Sequence, residues 1–339
     1  MKQLETHPCL TASCTNRPDD CTEQFREIRT ELGHGSRPRK DNAIMFTIAK
    51  ILLPIDFSAR STAAADAAAA VAERFGSEIT LLHVLTPGLN LPLPTSAQMR
   101  MLHGYAREEA EEEMEAFRSN EWGHLAVKRV LREGDPARTI VEFASSEHAD
   151  LIMMPTHGYG PFRRLLIGSV TAKVLYDASC PVWTAVHTPD TASGILAKPR
   201  RIACAVDLGP QSSNILSWAS RLSWEFAAPL SVIHVVASLD PRLQEYGLSP
   251  EWRGHVINEA RAELARLLET AGAQGDIHVE VGPIVSGVAD VAKELRADLL
   301  VIGRSGHDSI SGSLPTNAYA IIRESPCPVL GVLSVDYRT

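Results

Sequence analysis

KILLPIDFSARSTAAADAAAAVAERFGSEITLLHVL, residues 50–85, passes from one aliphatic run through an alanine-rich stretch into a second aliphatic run. The outer segments, KILLPID (50–56) and ITLLHVL (79–85), are short, rich in branched aliphatics and bounded by turn residues, which is the pattern of strands. STAAADAAAAVAERF (61–75) between them has the composition of a helix. Two such strands joined through a helix lie parallel in one sheet.

The same unit occurs again as RIACAVDLGPQSSNILSWASRLSWEFAAPLSVIHVV, residues 201–236. ILLPIDFS (51–58) returns as IACAVDLG (202–209) and LLHV (81–84) as VIHV (232–235), each 151 residues on. Further along, DLIMMPTHG (150–158) returns as DLLVIGRSG (298–306), and SCPVWTAV (179–186) as PCPVLGVL (326–333). The order is kept while the offset drifts by a few residues, so the chain holds a duplicated domain of about 140 residues.

Within each copy, strands and helices alternate. LAVKRVL (125–131), DLIMMP (150–155) and PVWTAV (181–186) complete the strands of the first copy, and REEAEEEMEAFRSN (107–120) and ARTIVEFASSEHA (137–149) read as helices. The second copy repeats the scheme with RIACAVD, LSVIHVV, DIHVEVG, DLLVIG and PVLGVL. The strands are apolar throughout, so burial on both faces is expected, and the fold class is α/β: a five-stranded parallel sheet with helices on both faces, present twice in tandem. The expected domains are a flexible extension at 1–48, a first domain at 49–187, a linker at 188–200 and a second domain at 201–335. Met45 is a candidate start of translation.

Bulk properties narrow the partners. Of 339 residues, 45% are hydrophobic and 22% charged, the range of an ordinary globular protein. A formal net charge of -8 argues against nucleic acid, whose phosphates need clustered Lys and Arg. No apolar run reaches the length of a membrane span, and residues 1–30 lack the apolar stretch of a signal peptide, so a cytoplasmic location is expected. Cys180, Cys204 and Cys327 sit in apolar surroundings and read as small core residues, while Cys9, Cys14 and Cys21 lack the spacing of a zinc site. The glutamates of 108–113 read as a solvated helix face.

In an open parallel sheet, ligands bind beyond the carboxyl ends of the strands, where the strand order reverses. For the first copy this selects Asp56, Val84 and the segment PTHGYGPFRRLLIGS (155–169). Asp56 either accepts hydrogen bonds from a ribose hydroxyl or adenine amine, or caps the following helix together with Ser58 and Ser61; the residues alone leave both open. Gly168-Ser169 precedes the helix SVTAKVLYDAS (169–179). The glycine permits close approach of a phosphate, the helix start offers N–H groups, and the serine hydroxyl adds a donor or simply caps the helix. His83 and His234 read as strand-end packing residues, and Arg163 and Arg164 as solvated.

The combination of an early strand-terminal Asp, the spaced glycines ending in Gly168-Ser169, GDPARTIVEFA (134–144) and SCPV (179–182) resembles the universal stress protein family. The resemblance spans both copies. It implies a Rossmann-like fold with strand order 3-2-1-4-5 and, as in the family's nucleotide-binding members, ATP as ligand with Mg2+ as an optional companion. By the same resemblance, adenine and ribose lie near Asp56 and Val84, phosphates near His157, Gly158, Gly168, Ser169 and Val170, and Met154 and Pro155 join the nucleotide-binding set. A weaker second site comprises Asp207, Val235, Gly303 and Gly306.

Two departures stand out. Proline replaces the motif's glycine at 155, removing a backbone N–H. In the second copy Pro315-Thr316 stands where Gly-Ser belongs, with Gly312-Ser313 out of register, so that copy is expected to have lost triphosphate binding. The expected function is a stress-response protein that binds an adenine nucleotide in its first domain and acts as a conformational or interaction switch toward an unidentified protein partner. A non-binding scaffold and a slow ATPase are the alternatives. The signatures GxxxxGK[ST], GxSxG and HExxH do not occur, so no catalytic residues are assigned. Family members pair through their fifth strands, which implies an intrachain pseudo-dimer here, with further homodimerisation left open.

Overall fold

The computed structural model describes residues 46–86, 96–156, 167–185, 198–237, 250–304 and 316–333. The first copy contains β1 (Lys50–Pro54), α1 (Ala59–Phe75), β2 (Glu78–Leu85), α2 (Ser96–Ala116), β3 (Val127–Glu133), α3 (Pro136–Ser146), β4 (Leu151–Met154), α4 (Ser169–Asp177) and β5 (Val182–Thr184). The second contains β6 (Ile202–Ala205), α5 (Ser212–Phe226), β7 (Leu230–Ala237), α6 (Pro250–Thr270), β8 (Asp276–Gly282), α7 (Ile284–Glu294), β9 (Leu299–Arg304), α8 (Thr316–Glu324) and β10 (Val329–Leu333). The expected extension up to residue 45 and the linker segment 188–197 lie outside the described residues.

Alanines of the 63–72 stretch supply the inner face of α1. Ser58 caps its start by accepting from the Ser61 N–H, and Gly76 ends it in the left-handed region at φ 69°. Ala64, Ala65, Ala68 and Ala72 are almost fully buried, so the small side chains let the helix lie close to the sheet. At the equivalent end of α5 the left-handed position falls to Ala227, at φ 51°.

Each copy has the strand order 3-2-1-4-5, and the two form one ten-stranded sheet in the order β3-β2-β1-β4-β5-β10-β9-β6-β7-β8. All pairings are parallel except the join, where β5 and β10 run antiparallel. Trp183 faces Leu330 in the register, with Val182 against Gly331 and Thr184 against Val329. Since Trp183 and Leu330 are equivalent in the repeat, a local twofold axis passes through this pair. Further equivalent residues meet across the same axis. Arg74 of α1 pairs with Glu225 of α5 at 2.7 Å, and the rings of Phe75 and Phe226 meet edge to face at 6.0 Å.

One core runs through both halves, including Leu52, Ile152 and Val182 from the first copy and Ala203, Leu300 and Val329 from the second. Burying side chains of the larger kind is worth about 1.5–3 kcal/mol each. The inner strands β1, β4, β6, β9 and β10 are buried on both faces as their composition predicts. β3 and β8 depart from that expectation, with one buried residue each, Val130 and Val279. They are the outer edges, where water replaces a neighbouring strand and charged residues such as Lys128, Arg132 and Glu280 guard the open hydrogen bonds. The glutamates of 108–113 are exposed on α2.

Candidate functional site

Strand order reverses between β1 and β4, and the residues beyond their carboxyl ends form the candidate site. β1 is extended by the Ile55 N–H, which donates to Leu82 O at 2.9 Å, and Asp56 follows. Its Oδ1 accepts from the Ser58 N–H at 3.1 Å and from Ser61 Oγ at 2.5 Å, while the Asp56 N–H donates to Ser61 Oγ at 3.1 Å. Ser58 is thus the helix cap, and Asp56 ties the turn with one carboxylate oxygen. Its Oδ2 accepts nothing among the described residues and is free to take an outside donor.

The turn is held from a second side. Phe57 adopts φ 58°, in the left-handed region, and its ring lies over His83 at 4.5 Å between centroids. His83 Nδ1 is 2.9 Å from Ile55 O, which requires the Nδ1–H tautomer. The second copy repeats this with Leu208 at φ 61° and His234 Nδ1 2.9 Å from Val206 O. Both histidines thus fasten the chain leaving the first strand of their copy to the second, the packing role expected from sequence.

Across the switch point, Met154 ends β4 and Pro155 follows it, both buried. The carbonyl of Pro155 accepts from Thr171 Oγ1 at 3.0 Å, and that of Thr156 accepts from the Gly168 N–H at 2.8 Å. The segment on either side of the 157–166 stretch is thereby pinned against the start of α4. Gly168, rather than Ser169, is the N-cap, with no side-chain cap bond. Sequence reading had allowed Ser169 the capping role. It instead occupies the first helical position, exposed, because Gly168 takes the extended conformation at φ -55° and ψ 142°. The N–H groups of Ser169, Val170 and Thr171 donate to nothing among the described residues. Such an uncapped first turn presents partial positive charge to an anion. Val84 is half-buried near the end of β2. His157 and Gly158 lie outside the described residues.

The second copy keeps less of this arrangement. Asp207 is exposed, and its Oδ1 accepts from the Gly209 N–H at 2.8 Å and from Ser212 Oγ at 3.3 Å. Val235 is buried at 6% exposure under α7, where a Cβ on Gly287 would stand 3.1 Å from its methyl groups. Gly303 lies within β9 rather than in a loop. Gly306, Gly312, Ser313 and Pro315 lie outside the described residues.

Sequence reasoning missed two participants. Thr171 locks the start of α4 to Pro155, and Arg304, next to Gly303, is 1% exposed and turned into the interior. Comparing the copies position by position marks Arg304, because it occupies the place of Thr156.

Asp135 caps α3 and stands 3.5 Å from Lys173 of α4. The Arg138 N–H it accepts holds its carboxyl below the usual value, with Lys173 adding to the effect.

The fold and its paired switch-point turns define a tandem, doubly wound α/β protein. The sequence profile of the universal stress protein family matches residues 47–185 and again 198–332, and the chain belongs to that family. A universal stress protein of Methanocaldococcus jannaschii is 35% identical over 135 residues, covering 39% of this chain and 79% of that protein. One from Mycolicibacterium smegmatis is 27% identical over 278 residues, covering 78% of this chain and 90% of its own length. Among solved structures, a universal stress protein of Archaeoglobus fulgidus superposes with a TM-score of 0.61 at 22% identity, covering 86% of this chain and all of that one. That likeness extends the tandem fold to a second protein.

Proposed function

We propose that the first copy binds an adenine nucleotide, ATP, and that the protein acts in the stress response as a conformational or interaction switch rather than as a fast catalyst. The uncapped first turn of α4 carries this reading: three backbone N–H groups stand ready beside the point where the strand order reverses. Asp56, with one carboxylate oxygen in reserve, and half-buried Val84 supply the polar and apolar contacts suited to ribose and adenine. Met154, Pro155, His157, Gly158, Gly168, Ser169 and Val170 complete the proposed set. The second copy, with Val235 sealed and Gly303 in the sheet, serves as its structural partner. This use of the pair fits a cytoplasmic protein that responds to nucleotide supply.

The test is to denature freshly purified protein, identify any nucleotide released, and titrate the apo protein with ATP by calorimetry. The Gly168→Val variant is the matched control, because φ -55° and ψ 142° suit any residue and a branched side chain stands at the helix start where the phosphates are proposed to approach. Retained nucleotide in the wild type and its loss in the variant are expected. No release, with no heat of binding at millimolar ATP, refutes the proposal. Pro155→Gly restores one N–H and is expected to tighten ATP binding about fivefold, the worth of one net hydrogen bond.

A further inference from the structure

Repeat-equivalent positions have exchanged bulk where the copies join. Thr156 and Thr184 of the first copy correspond to Arg304 and Gly331 of the second. Gly331 makes room for the arginine: a Cβ there would stand 3.1 Å from Arg304 Cδ. The arginine side chain then crosses into the other copy. Nη1 donates to Leu175 O at 2.8 Å, and Nη2 to Ala178 O at 2.7 Å and Cys180 O at 2.5 Å, while Nε donates to Gly331 O at 3.3 Å.

Three of those four carbonyls belong to the last turn of α4 and the segment leaving it. A helix ends with carbonyls that lack partners along its own chain, and a glycine in the left-handed region commonly helps to satisfy them. α4 has no such glycine, since Ala178 is extended at φ -67° and ψ 137°. The second copy supplies the donors instead. Burial lowers Arg304 to about 10, far enough above neutral that the guanidinium stays charged against the negative end of the helix dipole. With nine residues, α4 is too short to hold its own place and depends on what grips its ends. Its N-terminal end is the uncapped turn of the candidate site.

We infer that Arg304 is a positioning residue for the phosphate-binding turn of the first copy: the second copy, through this side chain, sets where α4 stands and hence how well phosphates are held. The inference rests on the nucleotide reading above. It assigns the second copy a regulatory part in a site to which it contributes no direct contact among the described residues, because any rearrangement at the tip of β9 draws on Arg304.

The experiment compares wild type, Arg304→Gln and Gly331→Ala in full-length protein, measuring ATP and adenosine affinities by calorimetry and amide exchange across residues 169–180. Loss of the guanidinium is expected to weaken ATP fivefold or more, within the usual range of coupling between sites, while adenosine changes less than about twofold. Exchange in α4 is expected to quicken. Gly331→Ala, which keeps the charge and displaces the side chain, should shift both readouts the same way by less, and it decides the matter should Arg304→Gln not fold. Equal weakening of ATP and adenosine, or unchanged ATP preference with unchanged exchange in α4, overturns the inference alone. Wild-type protein that binds no nucleotide overturns it together with the reading it rests on.

Discussion

Replacing Ser61 by alanine tests how the switch-point turn is held, and the second copy provides an internal control. The Ser61 hydroxyl donates to the Asp56 carboxylate at 2.5 Å and accepts the Asp56 N–H at 3.1 Å, at 1% exposure. A hydrogen bond to a charged group is worth about 1.5–3 kcal/mol and an ordinary one about 1, so Ser61→Ala should cost about 2–4 kcal/mol. Ser212 in the second copy makes one bond to Asp207, longer at 3.3 Å, and that aspartate is exposed and easily rehydrated. Ser212→Ala should therefore cost about 1 kcal/mol. Urea unfolding followed by circular dichroism measures both, and one shared sheet makes a single transition the expected form. Costs equal within about 0.5 kcal/mol, or a Ser61→Ala cost below about 1, would refute the idea that the two turns are held differently.

Ala227→Gly should stabilise the protein by about 0.5–1 kcal/mol by relieving a side chain in the left-handed region, whereas Gly76→Ala at the equivalent position should destabilise it similarly; thermal melts showing shifts of the same sign would contradict this. Burial pushes the Cys204 thiol well up and Cys327 to about 12, the latter opposed by the Ser325 hydroxyl, so iodoacetamide at about pH 8 should leave Cys204 and Cys327 unlabelled in native protein and label them in urea, as peptide mass mapping would reveal. The Asp135 cap has a lowered carboxyl value, so its stabilisation is complete above about pH 4 and disappears as pH falls through the folded value. Asp135→Ala should accordingly lower the melting temperature at neutral pH by an amount that shrinks as the solution is acidified, and a deficit independent of pH would contradict the assignment.

The succession of strands and helices and the duplication were legible because they rest on local signals, namely aliphatic runs, alanine-rich helices and a spacing of 151 residues that recurs, whereas the strand order followed from the family resemblance. The turn at Asp56 was half legible. Asp56, Ser58 and Ser61 recur as Asp207, Gly209 and Ser212, yet residue types alone do not say which oxygen each donor chooses. At the other side of the site, Gly168 and Ser169 appeared with their capping roles unassigned, since the choice depends on backbone angles set by the bond from Gly168 to Thr156. Arg304 was the least visible. A charged residue between glycines reads as a loop position, and only the antiparallel join of β5 to β10, a contact between residues about 150 apart in sequence, brings carbonyls of the first copy within its reach.

The axis through Trp183 and Leu330 has a consequence for what the fusion permits. In an assembly of identical chains, whatever residue lies on the axis must tolerate its own image. Tethering the halves lifts that requirement, and the chain has used the freedom by setting an indole against an isobutyl group and by placing an arginine-glycine couple in one half where the other half has two threonines. Cut apart, the first half would meet itself with tryptophan against tryptophan and with the carbonyls ending α4 lacking their guanidinium. Separation would thus remove the matched surface as well as the tether, leaving the halves to find one another rather than themselves.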